Sequence, residues 1–214
     1  MTLTRPRLYP ARVTPLNLPF DPIARAELTW RERWGDEAPA TQMATATSLL
    51  RVAQVLTMQL DQACGRHGLT FARYEALVLL AFARARGLPM TRIGERLMVH
   101  PTSATSIVQR LETQGFVRRV PNPDDGRGTL AQITDAGRAV MEAATADLHA
   151  LGFGLDVLDD AEHAQLFGVL RRVRVAAGDF ADGEDPAEDE DTVHAGPERA
   201  GHGQLLGRPR MLSP

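Results

Sequence analysis

Lysine is absent from all 214 residues, and the 24 basic side chains are every one arginine. A GC-rich coding bias accounts for that better than a function does. Cysteine occurs once, at Cys64, which excludes an internal disulfide framework and suits a reducing compartment. No apolar run approaches the roughly 18 residues that span a bilayer. The opening stretch MTLTRPRLYPARVTPLNLPFDP has arginines but is broken by prolines and lacks the apolar segment of a secretion signal. A soluble cytoplasmic protein is expected. Also missing are a Gly-rich phosphate loop, a GxSxG elbow and paired carboxylates in a fixed motif, so nothing supports an enzyme or calls for a cofactor. Asp61, Cys64 and His67 stand at i, i+3, i+6, which invites a metal site or a Cys–His pair. Gly65 interrupts that helix and no fourth ligand follows, so neither metal nor catalysis is expected there.

What is present is unevenly distributed. Residues 181–214 carry eight acids against three arginines, whereas residues 84–138 carry nine arginines against five acids. The acidity of the chain lies in its tail, expected to be disordered because it is Gly/Pro-rich and poor in aromatics. Its middle is mildly basic, as a phosphate-facing surface would be. Five prolines between Pro6 and Pro22 make residues 1–20 an extended arm. A short helix is predicted over 21–35, with Asp21 as N-cap, Pro22 at the first helical position and Gly35 as its stop.

Further helices follow from apolar spacing. One runs from about Thr41 through Met43, Leu49, Leu50, Ala53, Leu56, Leu60 and Ala63, closing at Gly65 or Gly68. Another covers FARYEALVLLAFARARG with Gly87 as its stop. Two short helices, TRIGERLM and PTSATSIVQRLETQ, are separated only by Val99 and His100. FVRRV, a turn PNPDDGRG and TLAQIT then predict a β-hairpin. Two long helices end the pattern, capped by Thr134 or Asp135 and by Asp159 or Asp160.

The second short helix carries the chemistry. Ala104, Ile107, Val108 and Leu111 repeat at i, i+3, i+4, i+7 and mark its buried side. Opposite lie Thr102, Ser106, Gln109 and Thr113, flanked by Ser103, Thr105 and Arg110. Ser and Thr are poor helix formers, so something other than helix stability chose them. A polar face without acids at its centre approaches a polyanion and reaches base edges, and the hydroxyls of Thr102 and Ser103 reinforce a phosphate site at the helix start. Solvation of an exposed helix start is the bland alternative. Ile93 and Leu97 before it complete a helix-turn-helix pattern, and Arg118, Arg119 and Arg127 on the hairpin flank it. A mainly α winged helix follows, a helix-turn-helix lobe between long N- and C-terminal helices.

From about Thr41 to Phe180 the chain resembles the MarR-type transcriptional regulators, most sharply in DDGRGTLAQITDAG, where Asp125, Arg127, Thr134 and Gly137 stand at the spacing of that family's wing motif. The resemblance implies a winged helix over about 71–134 and dimerisation helices over about 41–65 and 134–178. It also implies an obligate homodimer that binds a palindromic double-stranded DNA operator, usually as a repressor released by a small ligand. By the same analogy Arg127 enters the minor groove, Asp125 orients a nearby arginine, and Thr102 to Arg110 face the major groove. His100 departs from the Ser or Asp common before the recognition helix, leaving a phosphate contact or an ordinary turn residue as readings.

The helix over 21–35 is an addition to the family's core and looks like the branch that responds to urate and other small organic anions. Trp30 or Trp34 would then wall a pocket against the dimer helices, with an arginine such as Arg51, Arg73 or Arg92 facing an anionic or aromatic effector; fastening of the added helix by both tryptophans is the alternative. Two further readings remain open. Cys64 is a redox sensor if it is an accessible thiolate, as in the peroxide-responsive branch, and inert if it is buried. A winged helix can also serve as a protein-interaction module, with the acidic tail as an added contact.

Overall fold

The computed structural model describes residues 18–83, 87–123, 125–181 and 183, and for 125–127 the backbone only. The acidic tail beyond Gly183, most of the proline-rich arm, and the side chains of Asp125 and Arg127 lie outside the described residues.

Local signals in the sequence set most of the elements. Helix α1, Pro22–Trp34, starts where Asp21 Oδ1 accepts from the amides of Ile23 and Ala24 at 2.9 and 3.3 Å, and stops at Gly35. It is held to the next helix by a triangle in which Arg31 and Thr41 both donate to Glu27 and Arg31 also reaches Thr41. Those hydrogen bonds to Arg31 and Thr41 lower the Glu27 pKa. Helix α2, Ala40–Gly65, is 26 residues long, or about 39 Å. Its C-terminal end is in the core through Leu60, Ala63 and Cys64, while Leu49, Leu50, Val52, Val55 and Met58 along its length are exposed.

Helix α3, Phe71–Phe82, is capped by Thr70 and ends at Ala83, short of the Gly87 stop expected from sequence. Leu88–Pro89 form a strand, β1, that no periodicity could announce in two residues. Gly87, at φ +84°, passes so close to the Ala131 carbonyl that a Cβ would collide with it. Helix α4, Met90–Arg96, and α5, Pro101–Thr113, are the two halves of the helix-turn-helix. Between them Met98 adopts φ +50° and is 82% exposed.

Strands β2, Val117–Asn122, and β3, Asp125–Ile133, pair antiparallel, and β1 adds to the other edge of β3, giving the order β1-β3-β2. The register sets Val117 opposite Ile133, Arg118 opposite Gln132 and Arg119 opposite Ala131, with an irregularity at Pro121/Asn122. Most of PNPDDGRG, read from sequence as a loop, therefore lies within β2 and β3, with Pro121 opposite Thr129 and Asn122 opposite Asp125. Pro121, which has no N–H to give the ladder, is tolerated because β2 is an edge strand.

Thr134 caps α6, Asp135–Ala150, by accepting from the Gly137 amide at 3.0 Å, and also donates to the Gly115 carbonyl at 2.8 Å. A single 3-10 turn at Gly152–Gly154 leads to α7, Asp160–Ala176, which opens with a capping box between Asp159 and Glu162. The core is one cluster built from the end of α2, α3, α4, α5, the sheet and α6. Neither α1 nor α7 buries a residue in it. Among the described residues no helix is long and apolar enough to cross a membrane.

Candidate nucleic-acid interface

Helix α5 is seated by its apolar stripe: Ala104, Val108 and Leu111 are completely buried against the core that includes Ile93, with Ile107 half-buried. Its start is capped by His100, whose Nδ1 accepts from the Thr102 amide at 3.3 Å and lies 3.1 Å from the Thr102 hydroxyl. The histidine thus supplies the cap that Ser or Asp would give, which sequence spacing left open.

With the stripe buried, Thr102, Ser103, Thr105, Ser106, Gln109 and Arg110 are all exposed on the other side. The Thr105 hydroxyl donates to the Pro101 carbonyl at 3.0 Å and that of Thr113 to Gln109 at 2.9 Å, so these two hydrogens are spent inside the helix. Ser103, Ser106, Gln109 and Arg110 make no side-chain hydrogen bond or ion pair with the described residues. Four polar side chains of differing donor and acceptor character are left facing outward, next to a helix start whose amides carry partial positive charge.

The two hairpin arginines divide. Arg118 Nε donates across the ladder to Gln132 Oε1 at 2.9 Å, while Arg119 Nε pairs with Glu112 Oε2 of α5 at 3.2 Å. Arg119 therefore ties the hairpin to α5 through Glu112. Asp125 and Arg127 lie on the backbone of β3 nearest the hairpin turn. Thr134 and Gly137 of the wing motif have a structural reason: the Thr134 hydroxyl joins α6 to the end of α5, and a Cβ on Gly137 would collide with the Phe116 carbonyl.

The residues singled out for an effector are not brought together within the chain. Trp30 and Trp34 lie on the exposed side of α1, ring centres 6.2 Å apart, in an open groove of about 450 Å³ whose arginines are Arg25 and Arg33. Arg33 stacks on Trp34 with its guanidinium 4.6 Å from the ring centre. Arg73 instead bonds Gln114 and Thr70, Arg92 pairs with Glu95 at 3.4 Å, and Arg51 sits half-buried on α2. Within one chain, the arginines beside the two tryptophans are therefore Arg25 and Arg33, while Arg51, Arg73 and Arg92 lie apart from this groove.

Cys64 has no exposed surface, and burial first, then the negative charges of Asp61, Glu75 and Asp147, push its thiol up to about 11. A redox sensor needs the opposite environment, so the redox reading is corrected to a buried, protonated thiol. Asp61 accepts from the Phe71 amide at 2.7 Å, and His67 Nε2 lies 3.1 Å from Asp147 Oδ2. Among the described residues no three or more His, Cys, Asp or Glu side chains are grouped to hold a metal ion.

Comparison with known proteins places this geometry. The family model described as the MarR family matches residues 67–128. The HTH-type transcriptional regulator PecS of Dickeya dadantii (strain 3937) is 30% identical over 117 residues, covering 51% of this chain and 69% of that protein. The crystal structure of Sco5413, a MarR family transcriptional regulator from Streptomyces coelicolor, superposes with a TM-score of 0.61 at 55% identity, over 65% of this chain and 97% of that one. Sco3205, a MarR family transcriptional regulator from the same organism solved in complex with DNA, superposes with a TM-score of 0.57 at 27% identity, over 75% and 92%.

Proposed function

Because the chain belongs to the MarR family and is a DNA-binding transcriptional regulator, we propose that it represses transcription as a homodimer on a palindromic operator, reading it with the outward face of α5. The observation that carries this is the acid-free centre of that face, where Ser106, Gln109 and Arg110 stand clear of internal partners above a fully buried apolar stripe. Amide and hydroxyl groups in that setting hydrogen-bond base edges, and Arg110 reaches phosphate or guanine. Thr102 and Ser103 add donors at the positive end of the helix. Arg118 and, from the wing motif, Arg127 contact the flanking backbone and minor groove.

Two-fold pairing is supported by the apolar surface that a single chain leaves uncovered on α2 and on α7, where Leu166, Phe167, Val169 and Val173 are exposed. An effector site is supported by the α1 groove, in which two indoles and two guanidiniums suit a planar aromatic anion. Such a ligand relieves repression by favouring a dimer whose reading helices no longer match the half-sites.

The test is a mobility shift on the intergenic duplex beside the protein's own gene, across a salt series. Gln109→Ala should weaken specific binding by about 1–3 kcal/mol, and Arg110→Ala should in addition reduce the salt dependence. Unchanged affinity in both variants would overturn the assignment of α5. Urate and benzoate, followed by tryptophan fluorescence and by release of the duplex, test the effector reading.

A further inference from the structure

Gln114, the residue that closes α5, uses both ends of its carboxamide. Nε2 donates to the Gly68 carbonyl at 3.0 Å, and Oε1 accepts from Arg73 Nη1 at 2.9 Å, partners 46 and 41 residues away in sequence. Arg73 also sends Nε to Thr70 Oγ1 at 3.3 Å, the hydroxyl that caps α3. Gly68, at φ +71°, belongs to the turn that ends α2. From the same turn Arg66 and His67 reach Asp147 of α6 at 3.5 and 3.1 Å. One short turn at the end of α2 is thereby joined by side chains to both α5 and α6.

We infer that Gln114 is a positioning residue: with Gly68 and Arg73 it forms a bracket that fixes the angle of α5 against the end of α2, and so the spacing of the two reading helices in the dimer. This rests on the reading of α5 and the homodimer given above. Burial of Ala104, Val108 and Leu111 holds α5 onto the core, but apolar contact is non-directional and resists a pivot weakly. Hydrogen bonds have a preferred direction, and a planar carboxamide bonded at both ends fixes the C-terminal end of the helix. The bracket lies beyond the outward face of α5, so its loss should disturb the register between half-sites and leave contacts within one half-site intact.

The experiment uses the full chain and three duplexes: a palindrome selected from random DNA with the unaltered protein, the same palindrome with one or two base pairs added at its centre, and a single half-site. Gln114→Met removes both hydrogen bonds at similar volume, Gln114→Glu keeps only the acceptance from Arg73, and Arg73→Met removes that bond from the other side. Gln114→Met should weaken palindrome binding about three- to tenfold, the size of one or two net hydrogen bonds, and blunt the penalty for altered spacing. Half-site affinity should stay close to that of the unaltered protein, while the melting temperature falls by only a few degrees, since both bonds are also lost from the free folded chain. The double variant Arg73→Met, Gln114→Met should be no worse than Gln114→Met alone. Undiminished spacing discrimination in Gln114→Met, or an equal loss on the half-site, would overturn the bracket. Should Gln114→Met fail to fold, Gln114→Glu and Arg73→Met carry the same comparison. An unaltered protein that ignores spacing would instead sink the paired-helix reading and the bracket with it, a failure visible before any substitution is made.

Discussion

At Gly137 the α6 backbone presses on the Phe116 carbonyl and the Ile133 side chain so closely that a methyl group has nowhere to go. Gly137→Ala raises helix propensity yet should destabilise the fold by about 1–3 kcal/mol, measured by urea denaturation, because the overpacking outweighs the gain. A neutral result would mean that α6 can shift away from the wing. Cys64 gives a second residue-scale expectation. Its thiol is raised from 9.0 to about 11 in the folded chain, so between those pH values the folded state holds more protons than the unfolded one. This contribution to stability is complete below about pH 9 and is lost as pH rises toward 11. The native protein should leave a thiol reagent unreacted at pH 8 and consume one equivalent only on unfolding; rapid native labelling would contradict the buried thiol.

At the scale of elements, α5 serves two masters. Its inward stripe is anchored in the core, and on its outward side Ser103, Ser106, Gln109 and Arg110 have no side-chain hydrogen bond or ion pair among the described residues. Leu111 is wholly buried, and Leu111→Ala should cost about 2–5 kcal/mol and abolish duplex binding as α5 loosens. Circular dichroism melts and a mobility shift separate that loss from the effect of Gln109→Ala, which should alter binding alone. The hairpin is joined to the same helix by the Arg119–Glu112 pair and by the Thr134 hydroxyl on the Gly115 carbonyl. The exposed ion pair contributes little to stability.

The whole molecule is divided between a packed lobe and helices that have apolar faces without cover. Helix α7 is 17 residues long and buries none of them, while Phe167 is 62% exposed. A helix of that kind is not self-sustaining in water, and a second copy of the chain is the cover proposed for it. Phe167→Asp with Val173→Asp should leave the lobe folded but sediment as a monomer at micromolar concentration, with a large loss of palindrome affinity. A double variant that remains dimeric would place the interface elsewhere.

Sequence alone was enough for what depends on near neighbours: the cap at Asp21, the stop at Gly35, the buried stripe of α5, the existence of the hairpin, and a choice between Thr134 and Asp135 and between Asp159 and Asp160 for the last two caps, of which the fold uses Thr134 and Asp159. Each of these is a matter of residues within a turn or two, and periodicity or cap chemistry reports them directly. Tertiary structure decided what depends on residues far apart in the chain. The early end of α3 and strand β1 exist because β3 offers an edge some 40 residues later, so no local pattern announces them. Arg73 was legible as a charge but not as the partner of Gln114, and Arg119 not as the partner of Glu112. Only packing could put Cys64 among carboxylates and out of water, because neither burial nor the charges around a group is written in its own segment.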